Sequence, residues 1–330
     1  PPPPPPPPPL FQAEDGIRDT RIGLVGSEMC IRDRNIRGTT KKNVAVVCAE
    51  EAHTLEAVMS AGKDGIAHPI LVGNQKKIEG ELREYKDYCD YTIVHAKDTA
   101  AALKITVDLV RRGETDVIMK GLIQTADFMN MVVDKENDLR TDKLISHILI
   151  LKIPTYHKLI AITDVAMVTY PDLEQKKQLL HNAVDTLKSM GFSNIKAAVL
   201  AAVDYVNPKM QESVDAAELK KLYEAGEIPD CIVEGPISYD LAIDRESSLI
   251  KGYSSPVAGD PDILLCPDIT SGNMLAKGLV FSAKSAAGAI VVGAKVPIIL
   301  TSRSVSSEEK YNSILLAVSI NKTDQEKSTV

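Results

Sequence analysis

From Val44 onward, short apolar runs and amphipathic stretches follow one another along nearly the whole chain. Val44–Ala49 reads as a buried strand, and Glu51–Lys63 as a helix with Leu55, Val58 and Met59 on one face. Pro69–Val72, Tyr91–His95 and Asp116–Met119 read as further strands, with helices predicted over 76–85, 99–112 and 126–133. In the second of these helices Leu103, Val107 and Val110 recur at helical spacing, Arg111 and Arg112 sit in the last turn, and Gly113 ends it. The middle of the chain repeats the pattern, with strands over 148–153, 159–163, 196–202, 230–233 and 263–266 and helices over 172–190, 210–224 and 273–284. Strands apolar throughout, each followed by a helix, predict a parallel sheet covered on both faces, hence an α/β fold.

The stretch Gly288–Glu309 stands out for its chemistry. Two apolar runs, Ala289–Val292 and Val296–Leu300, are punctuated by Gly293 and Pro297. The second run delivers Thr301, Ser302 and Arg303 at a strand end, just before a predicted helix. Open α/β folds place ligands where a strand end feeds a helix start. Hydroxyl donors, a guanidinium fork and the free N–H groups of a helix N-terminus suit an anion, and we read this corner as a phosphate-handling site.

Composition narrows the class. The chain has 330 residues, 44% hydrophobic and 25% charged, enough for a large core or two domains. A net charge of −7 disfavours a nucleic-acid partner, and the lack of Trp disfavours a stacking platform for bases. No apolar run is long enough to span a membrane. The five Cys form no CxxC pair and no metal-ligand spacing, and read as reduced thiols of a cytoplasmic protein.

Residues 1–34 stand apart. Pro1–Pro9 reads as a solvated polyproline II arm, and 13–34, AEDGIRDTRIGLVGSEMCIRDR, resembles translated sequencing-adapter read-through. The segment lacks the apolar stretch of a signal peptide. We expect it to be disordered and foreign to the fold, with the natural N-terminus missing.

Read together, several fragments carry a resemblance. They include Met119-Lys-Gly-Leu122, Leu139-Arg-Thr141, Leu144-Ile-Ser-His147, Ile162-Thr-Asp-Val-Ala-Met167, Val206-Asn-Pro-Lys-Met210, Glu234-Gly-Pro236, Pro267-Asp-Ile269, Gly272-Asn-Met-Leu275 and the run from Val292 to Arg303. In this order, over about 42–320, the chain resembles the phosphate acetyl/butyryltransferase family. The resemblance implies two three-layer α/β/α domains with a cleft between them, like isocitrate and isopropylmalate dehydrogenases. The implied division is 35–153 with 286–330 as one domain and 154–285 as the other, the chain crossing near Pro154 and returning near Ser285. It implies a cytoplasmic homodimer or higher homo-oligomer with no permanently bound cofactor and no metal. CoA, acyl-CoA and phosphate are then substrates, and butyryl is the expected acyl group. A phosphate acetyltransferase and a non-catalytic acyl-CoA- or phosphate-binding protein remain as alternative readings.

The resemblance also implies residue roles. Arg303 is expected to clamp phosphate, Ser302 to donate to phosphate or the departing sulfur, and Glu308 or Glu309 to exchange a proton with the CoA thiol. Lys120, Thr125, Arg140 and Asn273 are expected to bind CoA or phosphate. Each has a plainer reading. Ser306 and Glu309 form an S-x-x-E capping box. Thr125 and Asn273 read equally as helix caps, Lys120 as a solvated strand-end lysine, and Arg303 as a surface ion-pair partner. His147 reads as a satisfied structural histidine, and Asp164 as a turn former or a cleft residue. Relatives usually carry Ser-Arg-Ala-Asp-Ser where this chain has Ser302-Arg-Ser-Val-Ser306, a basic residue at Asn130 and Gly at Asp138.

Overall fold

A computed structural model of the chain describes residues 41–302 and 305–320. The expectations for 1–34 and for Arg303 therefore fall outside the described residues. The first half runs β1 (Lys42–Val47), α1 (Ala52–Lys63), β2 (Ala67–Gly73), α2 (Gln75–Glu81), β3 (Thr92–His95), α3 (Thr99–Arg111), β4 (Val117–Lys120) and α4 (Thr125–Val133). There follow β5 (Ser146–Lys152), β6 (Leu159–Thr163), α5 (Leu173–Ser189), β7 (Ile195–Leu200), α6 (Gln211–Glu224), β8 (Cys231–Ile237), α7 (Tyr239–Ile243), α8 (Arg245–Ile250), β9 (Ile263–Leu265) and α9 (Ile269–Lys277). The chain closes with β10 (Ala286–Val292), β11 (Ile298–Ile299) and α10 (Ser307–Ser319).

The eleven strands of the described residues join one sheet in the order β3-β2-β1-β4-β11-β10-β5-β6-β9-β7-β8. The parallel pairing expected from strand–helix alternation holds from β3 to β11 and again from β6 to β8. Between these blocks β11, β10, β5 and β6 pair antiparallel. Three reversals in succession turn the second block over. The C-terminal ends of β1, β4 and β11 therefore lie at one edge of the sheet, and those of β6, β7 and β9 at the other.

The side chains sort into three apolar clusters. One covers a whole face of the sheet and draws together α1, α5, α6 and α10, from Leu55 through Leu187 to Leu316. The opposite face carries two clusters: one built on α3 and α4 around Phe128 and Val107, the other around Leu151, Leu241 and Leu264. The helices after β1 and β11 thus pack on one face, while the helix after β4, which lies between them, packs on the other. A crevice at strand ends follows from this divergence.

Local chemistry sets most boundaries. Asp98 caps α3 through Ala101 N–H at 2.8 Å, and Asp172 with Gln175 forms a reciprocal capping box on α5. Asp268 and Ser271 do the same for α9, which therefore begins four residues before the predicted Asn273. Asn273 is not a cap: it lies inside the helix and donates to Val165 O at 3.0 Å. The helix predicted to Lys284 passes after Lys277 into a π-helical turn. The strand predicted over 296–300 shortens to Ile298–Ile299, since Pro297 has no N–H for the ladder. Asp138, where relatives usually carry Gly, adopts the left-handed conformation at φ 55° and pairs with Lys295 at 2.7 Å. A short polar residue tolerates that conformation.

The tightest backbone approach lies where β4 ends beside β1. Gly121 N–H donates to Val47 O at 2.9 Å, and Leu122 N–H to Cys48 O at 2.7 Å. A Cβ at position 121 would sit 2.2 Å from Cys48 O. Gly121→Ala is expected to lower the chemical denaturation free energy by about 1–3 kcal/mol through this backbone clash. An unchanged midpoint would show that the strand ends adjust freely.

Candidate active site

β4 and β11 are parallel neighbours, with Ile298 opposite Ile118 and Ile299 opposite Met119. The next residues, Lys120 and Leu300 to Ser302, therefore leave the sheet side by side. There they line a pocket of about 410 Å³ with Ile123, Gln124 and Thr125. This volume is in the range of small-molecule sites.

The pocket has one buried cation. Lys120 is 4% exposed, so the solvated strand-end reading does not hold; its ammonium donates to Gly121 O at 3.4 Å. Thr301 is 7% exposed, and its hydroxyl has no hydrogen-bond partner among the described residues. Thr125 is the first residue of α4, and Gln124, in the capping position, makes no side-chain cap. The expected Thr125 cap is thus not formed, and the first turn of α4 has no side-chain cap from its capping residue. Ser302 is exposed at the pocket rim.

Past the pocket, Ser306 caps α10, its hydroxyl accepting from Glu309 N–H at 3.2 Å. This is half of the predicted capping box; among the described residues nothing hydrogen-bonds the Glu309 carboxylate. Glu309 is half-buried, and burial raises its carboxyl above the ordinary value, while Glu308 is exposed. Burial therefore favours the protonated form of the Glu309 carboxyl.

Two expected binding residues are not among those lining this pocket. Arg140 is exposed and bridged through its backbone to Ala294, while its neighbour Thr141 donates to Gly293 O at 2.7 Å. Asn273 lies past the end of β9, at the opposite edge of the sheet. Near that edge Asp164 is a turn former: its carboxylate accepts from Ala166 N–H and Met167 N–H, each at 2.7 Å, and from His147 N–H at 2.8 Å. His147 departs from the satisfied structural histidine expected, since its buried Nδ1 has no partner among the described residues. Burial lowers its pKa and keeps the ring neutral. Gln124 is the polar pocket-lining residue that reading the chain missed. Its signal is position alone, one residue before a helix. No cluster of three or more His, Cys, Asp or Glu side chains suited to a metal ion occurs among the described residues.

Comparison with known proteins places this geometry among relatives. A family model described as phosphate acetyl/butaryl transferase matches residues 89–318. The chain is 40% identical over 283 residues to the phosphate butyryltransferase of Clostridium acetobutylicum, covering 86% of this chain and 94% of that protein. It is 38% identical to the phosphate acetyltransferase of Thermotoga maritima, covering 85% of this chain and 95% of that protein. A branched-chain phosphotransacylase from Enterococcus faecalis V583 superposes with a TM-score of 0.74 at 31% identity, over 84% of this chain and 98% of that one. The family match spans the strand ends that form the pocket, and the chain belongs to the phosphate acetyl/butaryl transferase family.

Proposed function

We propose that this protein is an acyltransferase that moves a butyryl group reversibly between CoA and inorganic phosphate. The observation that carries the reading is the pocket itself: a buried ammonium, a buried hydroxyl without a partner among the described residues and a helix N-terminus that its capping residue leaves open meet at a crevice between diverging strand ends. Relatives whose names state this chemistry match along nearly their whole length. A 40% identical phosphate butyryltransferase and a 38% identical phosphate acetyltransferase support the two acyl chains almost equally. Phosphate acetyltransferase is therefore the second reading.

In the forward direction a phosphate oxygen attacks the thioester carbonyl carbon. The carbonyl electron pair moves to oxygen, then returns as the C–S bond breaks, leaving acyl phosphate and a CoA thiolate that takes up a proton. Both substrates are anions, so holding them together is the main task. Lys120 and the first N–H groups of α4 offset phosphate charge, and Arg303 clamps two phosphate oxygens. Ser302 donates to phosphate or to sulfur. Glu309, with its raised carboxyl, delivers the proton to the thiolate and removes it in reverse. Arg140 and Asn273 fit contacts to the longer CoA substrate rather than to the reacting phosphate.

The wider reading is a homodimer or higher homo-oligomer in the cytoplasm, with no nucleic-acid partner and no resident cofactor. The two-domain division at Pro154 and Ser285, with an isocitrate-dehydrogenase-like cleft, belongs to the same proposal.

Trapping of acyl phosphate with hydroxylamine tests the reaction. Hydroxamate is expected to form from butyryl-CoA only when phosphate is present, with kcat/KM at least about tenfold above acetyl-CoA. Release of thiol without phosphate would contradict the proposal. Arg303→Ala is expected to lower kcat about 100-fold or more, with the circular dichroism spectrum unchanged.

Glu309 makes a pH-dependent prediction. Its folded-state carboxyl lies above the ordinary value, so the fold disfavours the ionised form. That destabilisation is absent below the ordinary carboxylate pKa and grows as pH rises through the raised value. Glu309→Gln is therefore expected to raise Tm at pH 8 more than at pH 4 while lowering turnover. An equal change in Tm at both pH values would show that burial of the charge is not the cause.

A further inference from the structure

Lys310 directly follows Glu309, is 1% exposed, and lies in the first turn of α10. Its ammonium donates to both carboxylate oxygens of Glu51 at 2.8 Å and to the Thr54 hydroxyl at 3.2 Å. All three ammonium protons thus have an acceptor. Thr54 in turn donates to Glu51. Glu51 occupies the capping position of α1, yet its side chain bonds no N–H of its own helix. The carboxylate is turned instead toward a residue at the far end of the chain. Burial would raise the Glu51 carboxyl, but the bonds from Lys310 and Thr54 hold it below the ordinary value, so the pair is ionic.

Glu51 lies four residues past the end of β1. The β1 end also accepts the two N–H bonds that fix Gly121 and Leu122, the residues directly after Lys120. Both sides of the pocket are therefore tied to one short segment, Val47–Glu51. One side is tied through the backbone to Lys120, the other through a buried ion pair to the helix that follows Ser302 and carries Glu309.

We infer that Glu51 and Lys310 are positioning residues for the transfer reaction: their buried pair sets the distance between the start of α10, which carries Glu309, and Lys120. The inference rests on the reading that the Ser302–Glu309 segment acts in acyl transfer. Among the described residues the side chains of the pair hydrogen-bond to each other and to Thr54, none of which lines the pocket, so the pair's effect falls on the alignment of reacting groups. A displacement of about 1 Å in such groups costs on the order of 100-fold in rate.

The test compares Glu51→Asp and a Glu51→Met, Lys310→Met double variant with a control pair. Glu51→Asp keeps the charge and shortens the side chain by one methylene. The double variant removes both charges and refills the space with apolar side chains, which buried pairs often tolerate. The control is Lys176→Met with Asp215→Met, a buried pair at 2.6 Å between α5 and α6 on the far half of the sheet. Both Glu51 variants are expected to lower kcat at least about tenfold, with KM for butyryl-CoA within about twofold of wild type. The double variant is expected to do so with a melting temperature close to wild type, and the control to keep wild-type kcat. Wild-type kcat in Glu51→Asp, or in a folded double variant, overturns the inference. If the double variant does not fold, Glu51→Asp decides alone. Ser302→Ala and Arg303→Ala are measured alongside. If they lose activity and the Glu51 variants do not, only the positioning role falls. If they keep activity, the catalytic reading of the segment falls, and the inference with it.

Discussion

A lysine ammonium out of contact with water must be paired, or it loses its charge. Lys310 is paired on three sides, and the pairing joins the start of α1 to the start of α10 across nearly the full length of the chain. Removing one partner of such a pair leaves an uncompensated buried charge and costs about 3–5 kcal/mol. That penalty makes the relative placement of the two helix starts nearly fixed. Because Ser302 precedes α10 and Lys120 is tied to the end of β1, the pocket inherits the same rigidity. Gly121 serves the same end sterically, since any side chain there would push the β4 end away from Cys48 O.

The sheet supplies the crevice that these ties hold open. β4 lies between β1 and β11, and its helix leaves to the face opposite theirs. Where neighbouring chains diverge, backbone N–H groups and strand-end side chains are left facing a common space. Anionic substrates meet there a cation held at 4% exposure, where the water that would screen it is largely excluded. The half-buried Glu309 sits in the contrary situation, as burial without a hydrogen-bond donor favours its protonated form. A buried cation and a carboxyl whose protonated form burial favours are the two electrostatic elements on which the proposed transfer between thioester and phosphate draws.

Much of the fold was legible because the strands are apolar on both faces and the longer helices carry caps. β1, β6 and α5 match their predicted spans within two residues at each end. What could not be read locally depends on contacts distant in sequence. Helices α7 and α8, of five and six residues, are too short for a period to register, and were missed. The reversal of the second strand block follows from β5, β10 and β11 pairing antiparallel, and no single strand encodes that direction. The start of α9 was legible in the Asp268–Ser271 pair but was overlooked.

The candidate site divides the same way. Lys120 and Ser302 each announce themselves at a strand end, yet only the pairing of β4 with β11 brings them together. Arg140 and Asn273 carried the same family signal, and the fold sets them apart from the pocket. Glu51 gave no signal at all, since a carboxylate before a helix looks like an ordinary cap until its partner is seen.

Amide hydrogen exchange with and without butyryl-CoA and phosphate tests the central claim, that the strand ends of β4 and β11 hold the reacting groups. Slowed exchange at 120–127 and 300–309, appearing only with the ligands, is the predicted result. Ligand-dependent protection at the opposite edge of the sheet, around 268–275, with none at 120–127, would contradict the account.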